Sequence, residues 1–139
     1  MNSVVDYFTA KLSSETDASD LYARQKAGDQ IVLIDVRSEE AWTQGRVAGA
    51  VHMPYSEIAS RAVDEVPAGT EVVVYCWSPG CNAGAKGALE FARLGYAVRE
   101  MIGGYEYWVR EGYPIETADE ISRRPIDPNV GVPRIRSRA

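Results

Sequence analysis

Apolar and polar residues along the chain follow the spacing of helices and strands in turn. Near the N-terminus the apolar residues recur at helical spacing: Val4, Val5, Phe8 and Leu12. Asp17 stands three residues before Asp20, which is typical of a helix cap, so we predict a second helix over 21–26 that ends at Gly28. The chain is therefore predicted to begin with two short helices.

Two continuous apolar runs, 31–36 and 71–75, are rich in β-branched residues. Such runs predict strands that are buried on both faces, as the strands of parallel sheets are. Between them we predict a short helix over 39–43, a small strand over 50–52 and a further helix over 56–62.

The second apolar run is followed by a loop with two cysteines and then by a helix, a strand and a last helix. Four apolar residues of the first of these helices share one face: Ala85, Ala88, Leu89 and Ala92. We predict the strand over 97–102, a turn at 103–104, and a last helix that holds Tyr107 and Trp108 and ends near Gly112. This alternation predicts an α/β fold with a parallel sheet and helices on both of its faces.

The length of 139 residues fits one domain and excludes a two-domain enzyme with an interdomain cleft. No stretch approaches the roughly 18 to 20 consecutive apolar residues of a membrane span, and the N-terminus lacks the order of a signal peptide. We therefore expect a cytoplasmic protein that binds no membrane. We divide it into an N-terminal helical extension (1–16), a central domain (17–116) and a C-terminal arm (117–139).

The charges divide the chain into an acidic body and a basic end. Residues 1–122 carry 10 basic and 19 acidic side chains, whereas 123–139 carry five basic and one acidic. The net charge of −5 argues against a general nucleic-acid binder. Pro125, Pro128 and Pro133 prevent a long helix near the C-terminus, so we predict that this arm is extended or disordered.

The two cysteines, Cys76 and Cys81, are too few and too close in sequence to cross-link a secreted fold, which indicates a chemical role. Cys76 comes directly after a predicted strand and shortly before a predicted helix. Ligands of open α/β sheets bind at this edge, where the helix N-terminus presents unpaired amides. These amides stabilise a thiolate, so we predict a lowered pKa for Cys76 and a nucleophilic role. The alternative is a buried, inert cysteine.

The residues after Cys76 have the composition of a tight anion-binding turn. Ser78 and Pro79 favour a turn, and Gly80 can adopt the positive φ that a cradle of amides requires. Asn82 is predicted to cap the helix that follows.

Five segments together resemble the rhodanese-like sulfurtransferases, in order, over about residues 17–114. They are Leu33-Ile-Asp-Val-Arg37 with the acidic pair 39–40, Gly45-Arg-Val-Ala-Gly-Ala-Val-His-Met-Pro54, Val74-Tyr-Cys76, the small-residue helix from Ala83, and Gly95-Tyr-Ala-Val with Gly103-Gly104-Tyr105 to Trp108. The resemblance implies a three-layer fold with a five-stranded parallel sheet. It also implies that Cys76 accepts sulfane sulfur from a donor, becomes a persulfide and passes the sulfur to a nucleophilic acceptor.

The resemblance further implies that the loop after Cys76 cradles the charged outer sulfur of the persulfide with its amides. The substrate-binding residues it implies are Trp77, Ser78, Pro79, Gly80, Cys81, Asn82 and Ala83. It implies no cofactor. Two cysteines and one distant histidine also fall short of the paired spacing of a zinc site, so no metal is expected.

Family members often carry Arg or Lys directly after the catalytic Cys and another Arg near the end of the loop, which attract thiosulfate. Here those places hold Trp77 and, roughly, Cys81 or Asn82, and Lys86 is the only nearby cation in sequence. We therefore expect an organic persulfide, a mercaptan or a protein persulfide as donor, with a thiol or protein as acceptor.

The loop is one residue longer than the usual six of this family, and longer loops resemble those of phosphatases and arsenate reductases of the same fold class. Those phosphatases close the loop with an Arg in a Cys-x5-Arg motif, where this chain has Asn82. Phosphate hydrolysis is therefore disfavoured.

Cys81 allows two interpretations. It could attack a persulfide or sulfenate on Cys76, release sulfide and close a disulfide, which would make it a resolving cysteine. Alternatively it is a small residue that fills the loop, because a disulfide needs Cα atoms within about 7 Å.

Asp35 and Arg37 follow the first strong strand at the same edge as Cys76. They are expected to support the loop or contact substrate, or to form an ion-pair network that orients Glu39 or Glu40, which we favour. His52 is expected to make a structural hydrogen bond rather than to reach the active-site rim.

Aromatic residues surround the predicted site in sequence. Trp77 is expected to line an apolar acceptor pocket, with packing on the loop as the alternative. Tyr105, Tyr107 and Trp108 are expected in the core and at the rim. The arginines of the arm, Arg134, Arg136 and Arg138, could contact an acidic partner or a second subunit, or be solvated.

The sequence thus predicts a single-domain sulfurtransferase with Cys76 as nucleophile. Two alternatives stay open: a non-catalytic binding or regulatory module of the same fold, and a thiol redox enzyme that uses Cys76 and Cys81. A homodimer through the C-terminal arm is a further expectation.

Overall fold

The computed structural model describes residues 2–130 of the chain. The predicted contacts of Arg134, Arg136 and Arg138 lie outside the described residues. Within residues 2–130 no helix has the length and apolar character needed to cross a membrane.

The described part of the chain alternates between helices and strands, as the sequence predicts. The helices are α1 (Ser3–Ser14), α2 (Ala18–Lys26), α3 (Glu39–Gln44), α4 (Ile58–Glu65), α5 (Ala83–Arg93) and α6 (Gly104–Arg110), with a 3-10 turn at Tyr55–Glu57. The strands are β1 (Glu15–Thr16), β2 (Ile31–Asp35), β3 (Arg46–Val47), β4 (Val51–His52), β5 (Glu71–Tyr75), β6 (Ala97–Met101), β7 (Ile115–Glu116) and β8 (Ile121–Ser122).

Five strands form a parallel sheet in the order β1-β6-β5-β2-β4, which confirms the predicted fold class. In the two central strands Asp35 is paired with Tyr75, so β2 and β5 end side by side. The residues that follow these strands, Val36 and Cys76, therefore emerge at the same edge of the sheet.

Alternating residues of the central strands pack against helices on opposite faces of the sheet. On one face Leu33, Val73 and Tyr75 contact a cluster that includes Leu21 of α2 and Trp108 of α6. The other face packs against α4 and α5, through Ile34, Val72, Val74, Ile58 and Phe91. Both faces of β5 are thus covered, and its last residue, Tyr75, is fully buried.

The face of α5 that packs against the sheet differs from the prediction. Ala85, Leu89 and Ala92 are exposed, and Ala88 is only partly buried. The buried positions are Gly84, Gly87 and Phe91. A β-carbon at Gly87 would lie 2.8 Å from Cγ1 of Val36, so the helix lies too close to the sheet for a larger residue. Apolar spacing misses this face because two of its three residues have no side chain.

A second, antiparallel sheet of three short strands was not predicted. It joins β3, β7 and β8 in the order β3-β7-β8. Beyond it, the backbone N–H of Asp127 donates to the carbonyl of Arg110 at 2.8 Å, and the two side chains form an ion pair at 3.0 Å. Residues 117–130, predicted as the start of an extended arm, therefore lie against the domain.

Candidate active site

Cys76 lies in the loop between β5 and α5, at the carboxyl edge of the sheet. Its side chain belongs to the core cluster on the α5 side, and the residue is 5% exposed. This is the position predicted from the sequence, between the end of a buried strand and the N-terminus of a helix.

The first residues of the loop are held by the N-terminus of α6. The backbone N–H of Tyr105 donates to the carbonyl of Cys76 at 2.8 Å, and that of Glu106 donates to the carbonyl of Trp77 at 2.7 Å. Gly104 packs directly against this part of the loop. The turn at 103–104, predicted only as a connection, is therefore the support of the loop.

Ser78 organises the middle of the loop. Its carbonyl accepts from the backbone N–H of Cys81 at 3.1 Å, and its Oγ accepts from the N–H of Gly80 at 3.3 Å. Pro79 lies between Ser78 and Gly80 in the chain. The expected positive φ at Gly80 is wrong, since positive φ values in residues 2–130 occur at other glycines. The turn closes through the Ser78 carbonyl instead.

The start of α5 also departs from the prediction. Asn82 occupies the N-cap position, but its side chain makes no capping hydrogen bond. Its carbonyl accepts from Lys86 N–H at 3.0 Å. Four backbone N–H groups of the loop donate no hydrogen bond within residues 2–130: those of Trp77, Ser78, Asn82 and Ala83. The amides of Gly80 and Cys81, in contrast, both donate to Ser78 within the loop.

Cys76 and Cys81 form a disulfide, with Cα atoms 6.4 Å apart. The distance lies within the usual range for a disulfide, roughly 4.4–6.8 Å. Cys81 therefore does more than fill the loop, because its sulfur reaches that of Cys76.

A cavity of about 280 Å³ opens beside the two cysteines. Its floor and rim come from the loop, through Cys76, Ser78, Pro79 and Cys81, and from the chain at 101–104. Its charged residues come from elsewhere in the chain: Lys11 of α1, Glu15 of β1 and Glu100 of β6. Lys11 Nζ and Glu15 Oε2 form an ion pair at 2.9 Å.

Glu100 is the half-buried carboxyl group of this cavity. Burial raises its pKa above the ordinary value, the nearby charge of Glu15 raises it further, and Lys11 opposes the effect. Its side chain lies over the first turn of α5, since a β-carbon at Gly84 would meet the carboxylate Oε2 at 2.6 Å. The N-terminus of α5 thus faces a carboxyl group rather than the arginine that an anion-binding loop would favour.

Sequence reasoning misses Lys11 and Glu15 because residues 1–16 are predicted as an extension, and it misses Glu100 because the strand predicted over 97–102 is assigned no part in the site. The spacing of Lys11 and Glu15 is that of an i,i+4 pair on a helix, a signal that is visible in the sequence. The pairing of β1 with β6, which places Glu15 opposite Glu100, is not.

The same architecture occurs in known proteins. The rhodanese-like domain model matches residues 17–111. The chain belongs to the rhodanese-like domain family. A sulfurtransferase of Allochromatium vinosum is 32% identical over 106 residues, which cover 73% of this chain and 94% of that protein.

An HTH-type transcriptional regulator of Mycobacterium tuberculosis is 32% identical over 109 residues, or 76% of this chain. The chain spans about half of that relative, 47% of its length. The crystal structure of a Bacillus halodurans protein superposes with a TM-score of 0.76 at 36% identity, covering 84% of this chain and 85% of that one.

In this rhodanese-like domain Asp35 and Arg37 form a fully buried ion pair at 2.7 Å. Arg37 also donates to the carbonyl of Gly45 at 2.6 Å. The expectation that the network orients Glu39 or Glu40 is wrong, because both are exposed at the start of α3. The buried pair forms within the turn after β2, where Asp35 Oδ1 also accepts from the N–H of Arg37 at 2.9 Å.

Trp77 packs away from the cavity. The guanidinium of Arg37 lies 4.5 Å from the centre of the Trp77 ring and 4.3 Å from that of Tyr105. The expected role of Trp77 in lining an acceptor pocket is wrong for the cavity beside Cys76, whose described walls do not include it. Contact of one guanidinium with both aromatic rings explains this orientation. The loop is thereby joined to β2 through Arg37.

The other candidate residues have structural contacts. His52 Nε2 lies 2.8 Å from the carbonyl of Arg37, and its ring stacks on Trp42 at 4.9 Å. Lys86 Nζ lies 5.4 Å from the centre of the Tyr55 ring. Neither residue lines the cavity of the cysteines. The described residues contain no group of three or more His, Cys, Asp and Glu side chains that could hold a metal ion.

Proposed function

We propose that this rhodanese-like domain is a sulfurtransferase in which Cys76 carries the sulfur as a persulfide. The observation that carries the proposal is the position of Cys76, buried at the carboxyl edge of the sheet beside four amides without an acceptor within residues 2–130. A persulfide anion formed there would accept hydrogen bonds from these amides. The relative from Allochromatium vinosum, named a sulfurtransferase, supports the same activity.

The proposed donor is an organic or protein persulfide, and the proposed acceptor is a thiol. Transfer begins when the Cys76 thiolate attacks the outer sulfur of the donor, and the donor thiolate leaves. The cavity beside Cys76 carries two carboxyl groups, Glu15 and Glu100, against one ammonium, Lys11. This balance opposes a dianion such as thiosulfate.

Intact-protein mass spectrometry tests the proposal. The chain is reduced, freed of reductant and incubated with cysteine persulfide, with a protein persulfide or with thiosulfate. The Cys81→Ser variant should gain one sulfur, about 32 Da, on Cys76. The Cys76→Ser variant, which keeps only the Cys81 thiol, should gain no such adduct. If Cys81→Ser forms no adduct with any of the three donors, the sulfurtransferase proposal is overturned.

A non-catalytic module is the second candidate. The relative from Mycobacterium tuberculosis is named a transcriptional regulator and is about twice as long as the matched region, since the chain spans 47% of it. A regulatory module would recognise a partner through the same loop and leave Cys76 unreactive toward every donor. The mass measurement above distinguishes the two functions.

A further inference from the structure

The disulfide shows that Cys81 reaches Cys76 within the folded domain. Their Cα atoms are 6.4 Å apart, and the loop that contains both is closed by the hydrogen bond from Cys81 N–H to the Ser78 carbonyl. Attack of one thiol on the other residue therefore requires no rearrangement of the fold.

Both cysteines also face the same cavity of about 280 Å³. A sulfur bound to Cys76 and a sulfide that leaves it each need such a space. The cavity wall holds two carboxyl groups, Glu15 and Glu100, and one ammonium, Lys11, which is already paired with Glu15 at 2.9 Å. This balance favours departure of a hydrosulfide anion over its retention.

We infer that Cys81 resolves the persulfide of Cys76 and releases sulfide, so that the domain reduces sulfane sulfur at the expense of a dithiol. The inference rests on the proposed function, because it requires the Cys76 persulfide. Intramolecular attack has the advantage of effective concentration, which can exceed that of an external thiol by several orders of magnitude.

The step balances in atoms and electrons. The Cys81 thiolate attacks Sγ of Cys76, the bond between Sγ and the outer sulfur breaks, and its electron pair leaves with the outer sulfur. The proton of the Cys81 thiol ends on the departing sulfide, so the products are HS⁻ and the Cys76–Cys81 disulfide. A dithiol then reduces this disulfide by two thiol exchanges and becomes a disulfide itself. The net reaction converts the donor persulfide and a dithiol to the donor thiol, a disulfide and hydrogen sulfide.

A single-turnover experiment without reductant tests the inference. Reduced wild-type chain is mixed with cysteine persulfide in slight excess, and sulfide and protein mass are followed together. The wild type should release about one equivalent of sulfide per chain and lose two hydrogens, about 2 Da. Cys81→Ser should retain an adduct of about 32 Da and release at least tenfold less sulfide.

The outcomes separate the inference from the function on which it rests. An adduct of about 32 Da that persists on the wild type without sulfide release would overturn the inference and leave the sulfurtransferase intact. No adduct on Cys81→Ser would overturn both. A mixed disulfide with cysteine on Cys81→Ser, in place of the persulfide, would show that sulfide leaves from the donor and would overturn the proposed order of steps.

Discussion

Gly104 packs so closely against Cys76 that a β-carbon at Gly104 would lie 2.6 Å from the Cys76 carbonyl oxygen. The same β-carbon would lie 2.8 Å from the backbone nitrogen of Ser78. Gly104 has a φ of +65°, so its backbone conformation also favours glycine. The position of the nucleophile thus depends on a residue that contributes no side chain.

Gly104→Ala should therefore displace the loop and destabilise the domain. A β-carbon at positive φ costs about 1–2 kcal/mol, and the clash with the backbone of the loop adds about 1–3 kcal/mol. Urea denaturation measures the loss, and the rate of persulfide formation on Cys76 should fall with it. Gly69→Ala is the matched control, because Gly69 has a φ of +83° and no atom within 4 Å of the β-carbon position. Equal losses for the two variants would contradict the close packing.

Asp35→Ala should be strongly destabilising. It leaves the guanidinium of Arg37 buried without its carboxylate, and it removes the acceptor of the Tyr75 hydroxyl at 2.6 Å. Loss of one partner of a buried ion pair costs about 3–5 kcal/mol. Glu90→Ala removes an exposed ion pair with Arg93 and should cost less than about 1 kcal/mol. Similar costs for both variants in urea denaturation would argue against the buried pair.

Glu100 should titrate above the ordinary pKa of a glutamate, because burial and the charge of Glu15 disfavour its ionised form. Its folded-state pKa exceeds its unfolded-state pKa. Ionisation of Glu100 therefore lowers the free energy of unfolding as pH rises through these two values. Glu100→Gln should therefore raise the free energy of unfolding at neutral pH, and the gain should vanish once both states are protonated at low pH.

The control is Glu65→Gln, which should change the free energy of unfolding at neutral pH in the opposite direction. Arg61 lowers the pKa of Glu65 through their hydrogen bond, so Glu65 stabilises the fold above its ordinary pKa and loses this effect as pH falls. Glu65→Gln should lose stability at neutral pH and match the wild type in acid. Denaturation curves across pH measure both variants, and a loss for Glu100→Gln at neutral pH would refute its assignment.

The charges of the cavity should set the preference among donors. Glu100→Gln should raise the rate at which thiosulfate loads Cys76, and Lys11→Gln should lower it, because the donor is a dianion. A change of about 1.4 kcal/mol in this interaction gives about a tenfold change in rate. Loading by an organic persulfide, which carries one negative charge on its sulfur rather than two, should change less. Glu120→Gln, at an exposed site away from the cavity, is the control. Equal effects on the dianionic and the singly charged donor would exclude an electrostatic cause.

The fold follows from features that are local in the sequence. The β-branched runs at 31–36 and 71–75 predict the central strands, and Asp17 predicts the start of α2, where it accepts from Asp20 N–H at 2.9 Å. The buried face of α5 was predicted wrongly, because its closeness to the sheet depends on Gly84 and Gly87. Glycine leaves no apolar periodicity from which such contact could be recognised.

The site, like the fold, has one part that the local sequence predicts and another part that it does not. The position of Cys76 is predicted from the buried strand directly before it and the helix after it, which are both recognisable in the neighbouring sequence. The walls of its cavity depend on the pairing of β1 with β6, which brings Glu15 beside Glu100. Such contacts join segments far apart in the sequence, and no local pattern marks them. The support from Gly104 is also a long-range contact, and the sequence predicts only a turn there.

The pairing of β1 with β6 has a consequence for shortened forms of this protein. The family match begins at residue 17, after β1 has ended at Thr16. A chain cut at that point would leave β6 as an edge strand, with an unpaired backbone open to a strand from another molecule. It would also lose Lys11 and Glu15, and the cysteines would then open onto solvent. Self-association and altered donor preference in such a fragment would reflect the cut rather than the native protein.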